Sequence, residues 1–282
     1  VIRVDRGAEP PELAPIRAAE LARVEAIVAV RPLESKDFGS SYKGTSRDPE
    51  LFRRLLNEAQ HGKCCYCEVK HPSTRRDLEH FRPKSEAVGS DGVTRRPAWW
   101  WLAWTWENLL FACDHCNRNH KNARFGLRDE SKRMLPKDAP PGPEDPLLLD
   151  PGSAAINPLD HIQFKRLASG DWWPVPKNGS VYGAYTIEVC GLTRPALRDQ
   201  YRCQHDMLAP TIRSVEDELR RADDANECGD PAPLEQQRAR WDRLLGAHFQ
   251  RSMPLTALTV DIYDHYFPQT LREAYGLSWP RP

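Results

Sequence analysis

CCYCEVKHPSTRRDLEHFRPKSE (64–86) and WWWLAWTWENLLFACDHCNRNHK (99–121) are the stretches on which the reading of this chain turns. Cys64 and Cys67 form one Cys-x-x-Cys knuckle and Cys113 and Cys116 a second, with 45 residues between them. Each pair presents two thiolates from one tight turn, and two pairs meet the tetrahedral demand of a structural Zn²⁺, at about 2.3 Å per Zn–S bond. Cys65 sits between two ligands but off the i, i+3 register, and reads as a buried, idle thiol. A zinc ribbon without chemistry accounts for this spacing equally well, so the residues around the knuckles have to decide.

Glu79 and His80 stand side by side after an apolar-alternating start, as at the end of a β-strand. Asn108 precedes a second apolar strand that runs into the second knuckle, and Asn117 follows the last cysteine at the opening of a polar helix. The expected unit is ββα, tied at its base by zinc, with an acid, an imidazole and an amide carried toward one another. Metal-dependent phosphodiester cleavage uses this set: oxygen donors for a hard divalent ion, an imidazole that titrates near neutrality, and nearby cations for phosphate. In WWWLAWTW, Leu102, Trp104 and Trp106 share one strand parity, which favours core packing over a base-stacking platform. Arg75, Arg76, Arg82, Lys84, Arg95 and Arg96 are the candidate phosphate contacts, with Arg82 and Lys84 foremost because they flank Pro83 just after His80.

The order Cys-x-x-Cys, Glu-His, Asn, Cys-x-x-Cys-Asn, then a Lys four residues on, resembles the HNH endonucleases. KCCYCE, DLEHFRPKSE, WWWLAWTWENLLFACDHCN, EDPLLLDP and GLTRPALRDQYR resemble more narrowly the PtuB-type HNH effectors of Septu and retron-associated anti-phage systems. That likeness implies His80 as general base, Glu79 and Asn117 as ligands of a catalytic Mg²⁺ or Mn²⁺, and Asn108 as the amide that orients the loop after the first strand. It further implies hydrolysis leaving 5′-phosphate and 3′-hydroxyl ends. Lys121 and His120 become candidate substrate contacts on the helix of Asn117. DNA is the expected substrate, RNA such as tRNA the alternative, and a non-catalytic zinc-ribbon scaffold the competing class. The expected partners are an ABC-type ATPase of the PtuA kind and, in a retron setting, a reverse transcriptase with its RNA–DNA product. The chain itself has no G-x-x-x-x-G-K-[ST] loop.

The remaining sequence frames this centre. At 282 residues the chain can bury a core without disulfides, and its formal net charge of +0 excludes coating of nucleic acid by bulk positive charge. That neutrality hides a partition: residues 61–126 carry 11 basic and 7 acidic side chains, whereas 127–282 carry 19 and 23. No stretch approaches the roughly 18 apolar residues of a membrane-spanning helix, and VIRVDRGAEPPELAP lacks the pattern of a secretory signal, so a cytoplasmic protein with reduced cysteines is expected. Residues 1–60 read as a helical arm, its second helix capped by Asp48 with Pro49 at the first helical position. Residues 61–135 form the nuclease module. Residues 136–192 read as a Pro-rich connector wrapped on a surface, then short strands at HIQFKRL and SVYGAYTIEV separated by the turn signals of SGDWWPVPKNGS. Residues 193–282 are helical, ending in one helix over DIYDHYFPQTLREAYG. The expected fold class is α+β, a zinc-stapled ββα-metal (HNH) module embedded in a mostly helical chain.

Overall fold

A computed structural model describes residues 1–71 and 76–280, and for Arg76 only the backbone. The candidate contact Arg75 and the side chain of Arg76 lie outside the described residues. Helix and strand are mixed as expected, and among the described residues the strands occur only as short antiparallel pairs.

Helix α1 spans Leu13–Val28 and α2 spans Leu51–Ala59. The second starts later than its sequence suggests. Asp48 accepts the Glu50 N–H at 3.2 Å in a turn ahead of the helix, so Glu50 is the cap residue and Pro49 stays outside. α2 buries Phe52 and Leu56, and just beyond it the Gln60 amide closes on β4 (Leu109–Cys113). Its nitrogen donates to Phe111 O at 2.6 Å and its oxygen accepts Phe111 N at 2.8 Å, so a side chain serves as one rung of a sheet ladder.

β1 (Arg76–His80) pairs antiparallel with β4, with Arg76 opposite Cys113 and His80 opposite Leu109. All five β4 residues are buried, which explains a continuous apolar run where a half-exposed strand would alternate. β2 (Ala87–Val88) and β3 (Thr94–Arg95) make a small antiparallel hairpin whose first residue is buried. After β4 the chain enters a wide helical turn, His115–Lys121, of π rather than α type; the Asn122 N–H reaches back five residues to Asn117 O at 2.6 Å.

The aromatic run is core, as expected, but not a strand. It folds as two 3₁₀ turns, Trp100–Leu102 and Trp106–Asn108. On a strand, alternate indoles would face away from the core; three-residue turns let all of them point inward. Four of the five indole N–H groups have their own acceptors: Trp99 on Glu144, Trp101 on Asp138 O, Trp104 on Ser41 Oγ and Trp106 on Gly7 O.

The connector follows the surface through Pro143 and then turns inward. Glu144, Leu148 and Leu149 are buried. The Glu144 carboxylate accepts Arg82 Nε at 2.8 Å, Trp99 Nε1 at 2.6 Å and Met134 N at 2.7 Å. Beyond it, β5 (Ile162–Arg166) matches expectation, but the next two assignments exchange places. The supposed turn segment contains β6 (Trp172–Pro176), paired with β5, and SVYGAYTIEV forms α3 (Val181–Val189). Ser180 caps α3 by accepting Gly183 N at 3.1 Å, and Gly183 passes so close to His161 O that a Cβ would sit 2.0 Å from it.

Helix α4 (Pro195–Glu227) runs unbroken through Pro210 and packs on α5 (Ala232–His248). The expected last helix is two, α6 (Thr256–Tyr266) and α7 (Gln269–Tyr275), because Pro268 cannot continue the first. The start of α6 docks on the first knuckle: Ala257 N donates to Glu68 Oε2 at 3.3 Å, and Lys63 Nζ to Met253 O at 2.8 Å. One buried apolar cluster runs from Val1 to Leu277. Among the described residues no helix is long and apolar enough to cross a membrane.

Glu144→Ala strands the Arg82 guanidinium as an unpaired charge inside the protein. Denaturant unfolding is expected to lose about 3–5 kcal/mol; a loss below about 1 kcal/mol contradicts the pairing as an organiser of this core.

Candidate active site and metal centre

Two short turns build the metal centre. In the first knuckle Cys64 N donates to Val69 O at 3.1 Å, Cys64 O accepts Glu68 N at 3.0 Å, and Glu68 takes a φ of 60° to close the turn. Cys65 N bonds to Phe111 O at 3.0 Å, which fastens this knuckle to β4. In the second, Cys116 N points at Cys113 Sγ at 3.4 Å. The sulfurs of Cys64, Cys67, Cys113 and Cys116 are all buried and lie within 4.8 Å of one another. Cys67 and Cys113 are 4.0 Å apart, against the roughly 3.8 Å edge of a tetrahedron with Zn–S bonds of about 2.3 Å. The cluster suits Zn²⁺.

Arg194, at the start of α4, sends its guanidinium to Cys116 Sγ at 3.4 Å and Cys113 Sγ at 4.0 Å. Burial works against that charge, but the Cys116 and Cys67 sulfurs hold the Arg194 pKa above its ordinary value. His71 Nε2 lies 3.6 Å from Cys67 Sγ. Such outer partners neutralise and orient thiolate ligands. Cys65 is buried and burial pushes its thiol up, in keeping with an idle role.

At the other end of the same hairpin, about 13 Å along β1 at 3.3 Å per residue, lie Glu79 and His80. His80 Nε2 sits 3.0 Å from Ala103 O, an acceptor-only group, so this nitrogen carries the proton and Nδ1 keeps its lone pair. Burial first, then the charge of Lys84, push the imidazole pKa well below its ordinary value, so His80 is a neutral base. Its ring meets the edge of Tyr42 at 4.8 Å. Asn108 is fully buried and closes three bonds: its oxygen accepts Arg82 N at 2.8 Å, and its nitrogen donates to Arg82 O at 3.0 Å and Leu102 O at 3.1 Å. It ties the exit of β1 to the aromatic turn that carries Ala103.

Glu79 points the other way. Lys121 Nζ is 2.6 Å from its Oε1, and the Tyr66 hydroxyl 3.4 Å from the same oxygen. Burial raises the Glu79 carboxyl above its ordinary value against the pull of Lys121. Asn117 directs its amide nitrogen to Asp77 Oδ2 at 3.4 Å, and Asp77 is itself paired with Arg118. Glu79, His80, Lys84, Asn117, Arg118 and Lys121 all line one pocket of about 390 Å³.

The expected cations sort differently. Lys84 stays at the pocket, its Nζ 3.4 Å from His80 Nδ1 and 4.7 Å from the Tyr42 ring centre; burial lowers its pKa to about 8. Arg82, two residues away, is buried on Glu144 and faces the core instead. Lys121 is no surface contact on the helix; it is 1 % exposed, bound to Glu79 and to His80 O at 2.9 Å. His120 packs its ring on Gly191, where a Cβ would fall 2.3 Å from Nδ1, and it does not line the pocket. Arg95 is held by Asp91, and Arg96 by Glu86. Sequence reasoning missed Tyr42, which the N-terminal arm brings from 38 positions before His80 with no local signal. It also missed Arg118, whose place beside Asn117 on a basic helical turn was a usable signal.

A hard divalent ion needs oxygen donors. Glu79 Oε2 has no protein partner among the described residues, and with its nitrogen turned to Asp77 the Asn117 amide has its oxygen left. One carboxylate and one amide suit Mg²⁺ or Mn²⁺, which keep several of their waters. Among the described residues the cysteines form the one cluster of three or more Cys, His, Asp or Glu side chains.

Cys113→Ser is expected to reduce zinc from one ion per chain to none by elemental analysis and to abolish the cooperative thermal transition, since structural Zn²⁺ binding is also folding energy. A serine variant that keeps its zinc and its transition contradicts the four-cysteine centre.

Neither a protein-family model nor a solved structure matches the chain. Among curated proteins it is similar to the Septu protein PtuB of Bacillus mycoides (strain KBAB4), at 32% identity over 203 residues, which cover 71% of this chain and 65% of that protein. The match thus spans just under two thirds of the relative. Over most of its own length, then, the chain is similar to a PtuB-type Septu protein.

Proposed function

We propose that the chain is an HNH-type endonuclease that hydrolyses nucleic-acid phosphodiester bonds, DNA foremost, as the effector of a Septu anti-phage defence system. The observation that carries this reading is the state of His80: a buried neutral imidazole, its proton committed to Ala103 O and its Nδ1 lone pair beside the pocket. A zinc scaffold has no use for a tautomer fixed in this way, or for a carboxylate buried next to it. The similarity to the Septu protein PtuB supports the defence role.

In this reading Nδ1 takes the proton of the attacking water. The Ala103 carbonyl holds the ring still and favours the imidazolium that forms, while Asn108 fixes the turn that carries this carbonyl. Lys84 and Arg118, which both line the pocket, meet the phosphate oxygens. Glu79 and Asn117 hold the divalent ion, which when bound supplies Lewis-acid stabilisation of the charge on the phosphate. A PtuA-like ATPase is the partner that controls access to substrate; in a retron setting the reverse transcriptase and its RNA–DNA product join the complex. The modest cationic excess near the site fits substrate capture shared with a partner.

The test is cleavage of plasmid DNA and of tRNA by the full chain with its ATPase and Mg²⁺. His80→Ala is expected to lower the rate by about 10²–10⁴-fold with zinc content unchanged. Cleavage of tRNA alone moves the substrate to RNA, and cleavage of neither supports the scaffold.

The pH profile follows from two groups. His80 is already neutral well below pH 6.5, so no acid limb falls in the neutral range. Lys84 is charged below about 8 and loses its charge above, so kcat/KM is expected to decline as pH rises through about 8. Lys84→Met should lower the plateau and remove this limb; an alkaline limb that survives in the variant contradicts the role of Lys84.

A further inference from the structure

Lys121 is among the most deeply buried cations of the chain, and its setting is specific. Its Nζ lies 2.6 Å from Glu79 Oε1 and 2.9 Å from His80 O, so it bridges the two adjacent residues of the site. Tyr66, from within the first knuckle, directs its hydroxyl at the same Oε1 at 3.4 Å. Both partners engage one carboxylate oxygen. The other, Oε2, has no protein partner among the described residues, and Glu79 lines the pocket. A lysine is seldom buried this completely, and a surface cation would serve phosphate binding better.

The arrangement bears on which ion Glu79 accepts. Mg²⁺ demands near-ideal octahedral geometry at 2.0–2.1 Å and takes carboxylates through one oxygen, whereas Ca²⁺ holds six to eight oxygens at longer distances and often takes both oxygens of a carboxylate. Resting on the reading of Glu79 as a cation ligand, we infer that Lys121 is a positioning residue that restricts Glu79 to one-oxygen coordination and so selects Mg²⁺ or Mn²⁺ against Ca²⁺. Tyr66 and the π turn that presents Lys121 belong to the same device. Because Tyr66 lies between Cys65 and Cys67, the zinc knuckle also helps hold the acid of the cutting site.

The experiment uses the zinc-loaded full chain and follows free Mn²⁺ by electron paramagnetic resonance while Mg²⁺ or Ca²⁺ competes. Wild type is expected to release Mn²⁺ to Mg²⁺ more readily than to Ca²⁺. In Lys121→Met, with Oε1 freed, the preference should move toward Ca²⁺ by roughly tenfold or more. Lys121→Arg should act oppositely: its fork grips both carboxylate oxygens, and Mn²⁺ binding should weaken. An unchanged Mg²⁺ to Ca²⁺ preference in a folded Lys121→Met, or wild-type Mn²⁺ affinity in Lys121→Arg, overturns the role of Lys121. Absence of exchangeable Mn²⁺ in wild type overturns instead the reading of Glu79 as a ligand.

Discussion

Four sulfur atoms packed within 4.8 Å of one another in the interior set the terms for everything around them. As thiolates they repel, and among the described residues Arg194 approaches them only from outside. A tetrahedral cation resolves the conflict, and its cost and benefit are felt by the turns that bring the cysteines together. One turn is pinned to β4 through Cys65, the other grows directly out of β4, and β1 begins opposite Cys113. The register of the hairpin is thus fixed at its sulfur end, and a one-residue slip would turn Glu79 and His80 to each other's faces.

Those two residues use opposite faces on purpose. Consecutive positions on a strand point apart, so the acid and the base are held by different partners: Glu79 by the π turn and the first knuckle, His80 by the aromatic turn and the N-terminal arm. The pocket lies where the ends of both sets meet. Desolvation acts on both groups, raising the Glu79 carboxyl and lowering the His80 imidazole. A base that stays unprotonated and an acid that gains from an arriving cation are what hydrolysis with a weakly held ion requires.

How far the sequence carried depends on which physics each residue obeys. Metal-ligand spacing is local chemistry, so the four cysteines were legible, as was the strand-end position of Glu79 and His80. Long-range pairing was not legible. Arg82 and Lys84 look alike on either side of Pro83, but a carboxylate 62 residues onward draws the first into the core while the second stays at the pocket. Lys121 shared a helical face with Asn117 on paper; the wider π turn and the buried Glu79 carry it inward. Apolar content was readable where conformation was not. The tryptophans are core, but in 3₁₀ turns, and WWPVP and SVYGAYTIEV exchanged strand and helix because pairing with β5 and a serine cap outweigh local pattern. Tyr42 gave no signal, since only the packing of the arm brings it to His80.

The central claim is that one hairpin carries two metal sites of opposite character, a structural one at its sulfur end and an exchangeable, hydrolytic one at its Glu79–His80 end. Anomalous diffraction from crystals of the full chain soaked in Mn²⁺, collected at the zinc and manganese edges, tests it directly. The account predicts a zinc peak among Cys64, Cys67, Cys113 and Cys116 and a separate manganese peak beside Glu79 and Asn117. Manganese absent from that pocket while zinc fills the cysteines would contradict it.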